Sequence, residues 1–136
     1  MEINERYKLL LADYTSALRS LEKAIAEDIA MYTPLIQDLI RNGRVQKFEV
    51  CTELAWKTAK LFIEIELGEI IGSPKQVYRK LFTVNLADMG LFEGLLATID
   101  DRNQLSHIYK EDHFEKVENR LGVHLLCFKN LLNRLT

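Results

Sequence analysis

Apolar residues recur at alternating intervals of three and four along most of the chain, the spacing of one face of an α-helix. Tyr7, Leu11, Tyr14, Leu18, Leu21 and Ile25 form the first such stripe. Leu10, Ala17 and Ala24 widen it, while Glu22, Lys23 and Glu27 belong to the wet side. The pattern predicts a helix over about residues 4 to 29, and its regularity predicts packing against another long helix. Thr33-Pro34 reads as the next helix start, with Thr as cap and Pro at the first helical position. Leu35, Leu39 and Ile40 would carry its first turns. Asn42-Gly43 could end or bend it, but glycine costs a helix only about 1 kcal/mol. Phe48, Cys51, Leu54, Ala55, Thr58, Leu61, Phe62 and Ile65 share one broad face, so this helix is expected to continue to about Leu67. Gly68 is its natural stop, and Trp56 belongs at the edge of the core.

Ser73-Pro74 repeats the cap-and-proline signal. The helix it opens is short, with Val77, Leu81 and Phe82 inward, and it should fade near Asn85. Asp88 can cap the next helix, whose face of Leu91, Leu95, Leu96 and Ile99 leads into Arg102 and His107. Asp112, with Glu115 three residues later, has the form of a capping box for the last helix. Phe114, Val117, Leu121, His124, Phe128, Leu131 and Leu135 form that helix's stripe, widened by Leu125 and Leu132. His124, on an apolar stripe, reads as a hydrogen-bonded core or interface histidine rather than a catalyst. No alternation of period two persists, and no hairpin turn is signalled. The expected fold is all-α, an up-and-down bundle of about five helices in a single domain over residues 1–136.

Composition supports this and narrows the function. With 136 residues the chain fits one core, and 6 Gly and 2 Pro leave room for long elements. A net charge of −2 argues against a DNA-coating protein. No apolar run approaches the ~18 residues of a membrane span. No basic segment followed by an apolar one opens the sequence, so a cytoplasmic location is expected. Cys51 and Cys127 form no CxxC and read as buried thiols in a reducing compartment. There is no Gly-rich phosphate loop. The histidines lack a partner set at metal-ligand spacing, and the adjacent Asp100 and Asp101 would splay by ~100° on a helix. Neither a metal nor a cofactor is expected.

One stretch stands apart. Asp100-Asp101-Arg102-Asn103-Gln104-Leu105-Ser106-His107-Ile108-Tyr109 packs an arginine, an amide, a hydroxyl, a histidine and a tyrosine where a helix is expected to end. Arg102 and His107 would lie ~140° apart on a continuous helix. They converge only if the helix ends between them or a second copy of the chain supplies the partner. Asn103 with His107, and Arg102 with Ser106, are four apart and can share a face. The chemistry these groups offer is phosphate chemistry: a guanidinium fork for phosphate oxygens and an imidazole that moves protons near neutral pH. The alternative is structural, since Arg and His are favoured at a helix C-terminus by the macrodipole.

Arg102-x4-His107-x-Tyr109 resembles the Rx4HxY motif of HEPN-domain proteins of the HepT type. Gln46-Lys47-Phe48-Glu49 and Glu53-Leu54-Ala55-Trp56-Lys57-Thr58 resemble a helix signature of the nucleotidyltransferase substrate-binding proteins within that group. Ser73-Pro74, Asp101-Arg102-Asn103 and Ser106-His107-x-Tyr109 follow in the same order. The resemblance spans nearly the whole chain. It implies a homodimeric HEPN-like bundle and a small partner protein, a minimal nucleotidyltransferase (MNT). It also implies one of two roles. In the first, the protein is the toxin of a toxin–antitoxin pair, a metal-independent endoribonuclease with Arg102 and His107 catalytic, Asn103 and Ser106 supporting, and Tyr109 the point where the partner transfers AMP. In the second it is a non-catalytic substrate- or nucleotide-binding subunit that completes the nucleotidyltransferase. The acidic neighbours Asp100, Asp101, Glu111 and Asp112 are a poor setting for gripping RNA.

Overall fold

The computed structural model describes residues 1–106 and 111–136, except the side chains of residues 111 and 112. Among the described residues there are five α-helices and no strand: α1 (Ile3–Ala26), α2 (Pro34–Leu67), α3 (Pro74–Thr83), α4 (Met89–Leu105) and α5 (Glu111–Leu135). The fold is an all-α bundle, as the spacing of apolar residues predicts.

α2 is its axis. Thr33 Oγ1 accepts the Ile36 N–H at 3.3 Å and Pro34 takes the first helical position, so the start is capped as expected. The helix runs through Gly43 without a break. It stops at Gly68, which adopts φ 70° and returns its N–H to the Glu64 carbonyl at 3.0 Å. Glycine adopts this left-handed conformation without the steric cost of a Cβ. Because α2 touches all four other helices, it is buried on more than the one predicted face. Ala59 and Ile63, off that face, are fully buried too.

α1 lies antiparallel to α2. Tyr7 meets Phe62, Ser20 meets Lys47, and Arg44 reaches Ala24. α1 ends at Ala26, short of the predicted boundary near 29. Arg44 explains the end: its guanidinium donates to the carbonyls of Ala24 and Glu27, both at 2.7 Å, and so satisfies groups that a further turn would have used. The first turns of α2 therefore project past α1. Leu35 and Leu39, the apolar residues of those turns, are 69% and 61% exposed.

α5 closes the bundle. It runs antiparallel to α1, with Tyr7 and Tyr14 donating to the carbonyls of Leu135 and Phe128, both at 2.6 Å, and Lys129 pairing with Glu22. Beside α2 it runs parallel: Arg41 faces Glu118, and Phe48 stacks on His124 with centroids 5.0 Å apart. It begins at Glu111, so Asp112 stands inside the helix and not at the cap the sequence suggested. α3 and α4 form an antiparallel pair against α2, joined by Lys75–Asp100 at one end and the stacked rings of Phe82 and Phe92 at the other. Trp56 is half-buried at the core edge, with the Lys60 ammonium 6.0 Å from its ring centroid. No helix among the described residues is long and apolar enough to cross a membrane.

Candidate functional site

α4 places the motif. Asp88 caps it by accepting the Leu91 N–H at 2.8 Å. Leu91, Leu95, Thr98 and Ile99 then face the core, which fixes the rotation of the last turn. Arg102 comes out half-buried on the side towards α2, its Nη2 3.4 Å from Glu53 Oε2. Its Nε is buried and has no hydrogen-bond partner among the described residues. Glu53 also pairs with Lys57 at 3.1 Å. Partial burial alone would raise the Glu53 carboxyl, but Lys57, Trp56 and Arg102 outweigh that and hold it below the usual carboxylate range.

Asn103 and Ser106 are exposed. The Ser106 N–H donates to the Asn103 carbonyl at 3.2 Å, and its hydroxyl lies 3.5 Å from the Arg102 carbonyl, so both residues finish the helix. His107 and Tyr109 lie outside the described residues. The structure thus positions Arg102, Asn103 and Ser106, and brings Arg102 to Glu53 on α2.

A second cluster lies one residue back. Asp101 is 5% exposed and is held by two residues one turn apart on α5. Arg120 grips both carboxylate oxygens, Nε to Oδ2 at 2.9 Å and Nη2 to Oδ1 at 2.5 Å. His124 Nε2 stands 2.6 Å from Oδ2. Burial would raise the Asp101 carboxyl, but hydrogen bonds from Arg120 and His124 hold it below its usual range. Burial lowers His124 more than Asp101 raises it. The pair is therefore carboxylate and neutral imidazole at neutral pH, with Nε2–H donating. His124 is the hydrogen-bonded core histidine that its place on an apolar stripe suggested. Its link to Asp101 was not legible, because the partners are far apart in sequence. The only local signal was the four-residue spacing of Arg120 and His124.

The two thiols are free, Cys51 buried and Cys127 half-buried. Burial pushes both up to about 12, which leaves them un-ionised and poor nucleophiles.

A long helix touched by all four others, a capped α4 ending in a half-buried arginine, and α5 held to α4 through Asp101 define an all-α helical bundle. The chain belongs to the family described as nucleotidyltransferase substrate binding protein like, whose profile matches residues 9–136. Among solved structures it is similar to a Thermus thermophilus protein, with 25% identity, TM-score 0.78, and coverage of 90% of this chain and 98% of that one. It is also similar to a tri-AMPylated Shewanella oneidensis HEPN toxin in complex with an MNT antitoxin. That match has 16% identity and TM-score 0.76, and covers 98% of this chain and 96% of that one, a likeness of fold. No curated protein matches the sequence.

Proposed function

We propose that this protein is the HEPN partner of a minimal nucleotidyltransferase, and that as a homodimer it is the toxin of the pair, an endoribonuclease that uses Arg102 and His107. The observation that carries the reading is Arg102. It is half-buried at the end of α4, its Nε has no partner among the described residues, and it stands five positions before His107 in an Rx4HxY motif. A guanidinium so placed can hold a phosphodiester. The ribose 2′-oxygen then attacks the adjacent phosphorus and the 5′-oxygen leaves, giving a 2′,3′-cyclic phosphate and a 5′-hydroxyl. His107 takes the 2′-OH proton, and the second copy of His107 in the dimer returns one to the leaving oxygen. Arg102 stabilises the charge that builds on the phosphorane. Family membership and the fold shared with a HEPN toxin in complex with an MNT antitoxin support the pairing. Tyr109 is the residue on which the partner would place AMP, silencing the site.

A second reading draws on Glu53. Its carboxylate already faces Arg102 at 3.4 Å and competes with any phosphate. In that reading the subunit binds without catalysis and completes the nucleotidyltransferase.

The test is purified protein on single-stranded RNA with a chelator present. Wild type is expected to sediment as a dimer and cleave the RNA. Arg102→Ala and His107→Ala are each expected to lose on the order of 100-fold or more in rate. With the MNT partner and ATP, intact-mass spectrometry should show AMP added to wild type and not to Tyr109→Phe. A wild type that cleaves nothing yet binds the partner tightly would select the second reading, and an active His107→Ala would remove the role given to His107.

A further inference from the structure

Among the described residues, a three-bond polar cluster lies beside the motif. Asp101 and Arg102 are neighbours on α4, so their side chains diverge by ~100° around the helix. Asp101 points to α5 and is buried; Arg102 points to Glu53 of α2. Fixing one therefore fixes the direction of the other. Arg120 and His124 grip the same carboxylate from successive turns of α5, with three contacts of 2.5 to 2.9 Å. His124 is itself immobilised by stacking on Phe48 of α2, interplanar angle 22°. The cluster ties the last turn of α4 to α5 and, through Phe48, to α2, which carries Glu53. It thus joins the two helices whose ends flank residues 107–110.

We propose that Asp101, Arg120 and His124 form a positioning clamp for Arg102, with the hydrogen bond from His124 to Asp101 setting the rotation of the α4 C-terminus. The clamp touches no substrate. It rests on the reading of Arg102 as the phosphate-binding group.

Two replacements of His124 separate the hydrogen bond from the ring. His124→Phe keeps an aromatic ring against Phe48 and removes the donor to Asp101. His124→Gln removes the ring and keeps an N–H donor at similar reach. Arg120→Met, at a position whose side chain is 45% exposed, perturbs the same carboxylate with little risk to folding. Each variant, purified as the full chain with wild type, is assayed for RNA cleavage (kcat and KM) and for backbone hydrogen exchange over residues 100–106. The expected result is that His124→Phe and Arg120→Met lose tenfold or more in kcat/KM and exchange at least tenfold faster there. His124→Gln is expected to stay within threefold of wild type in both. A role in packing alone gives the opposite order, with the Phe variant near wild type and the Gln variant impaired, and that order overturns the clamp; so does an Arg120→Met protein identical to wild type. If wild type cleaves no RNA, the ribonuclease reading falls, and the order of the exchange rates alone decides the clamp.

Discussion

At the scale of single residues, Asp101 and His124 make stability depend on pH in a definite direction. Burial keeps folded His124 below its ordinary 6.5, so below that pH the unfolded chain takes up a proton that the folded chain does not. The contribution of His124 is complete above about 6.5 and declines as pH falls towards the folded value. Asp101 is also lowered, so its contribution is complete above the unfolded 3.8 and is lost as pH falls through the folded value. Thermal melts are therefore expected to show a falling Tm from pH 7 to pH 5, before carboxylates titrate in bulk. His124→Gln should flatten that slope, and a wild-type Tm unchanged over this range would contradict it. The Arg102-x4-His107-x-Tyr109 spacing is local and so stands out as a motif in the sequence, and of its three residues the structure describes Arg102. Asp101 was readable only as one of two adjacent acids, since the groups that grip it sit 19 and 23 residues away. Nothing in the spacing of a single helix shows which carboxylate another helix will meet.

At the scale of elements, two glycines of α2, one inside the helix and one capping its end, have opposite effects. Gly68 holds φ 70° with nothing within 4 Å of a built Cβ, so Gly68→Ala adds strain without a clash. The cost is expected to be about 1–2 kcal/mol, the penalty of the left-handed conformation for an L side chain. Gly43 lies within α2, also with nothing within 4 Å of a built Cβ. Gly43→Ala is expected to add about 1 kcal/mol, the difference in helix propensity. Urea unfolding of the two variants should move the midpoint in opposite directions with m unchanged. Helix boundaries were legible to within a few residues because caps and stops are local chemistry, as Thr33, Gly68 and Asp88 show. The exposure of Leu35 and Leu39 was not, because it depends on where α1 stops, and Arg44 on α2 sets that end.

At the scale of the whole molecule, the long-range ties run through α5. Tyr14 is fully buried and its hydroxyl donates to the Phe128 carbonyl across 114 positions of sequence. Tyr14→Phe keeps the ring and removes that bond, so a loss of about 1 kcal/mol is expected by chemical denaturation. A neutral variant would mean that this hydroxyl contributes nothing to joining α1 and α5. The same dependence on α5 bears on synthesis. Ribosomes deliver a chain from its N-terminus, and α1, α2 and α4 emerge before the helix that carries Arg120, His124 and Phe128. Until α5 leaves the exit tunnel, Asp101 has neither Arg120 nor His124, and Arg102 sits on an untethered helix end. A nascent chain that has made α4 but not α5 therefore carries Arg102 before the residues that fix its helix end exist.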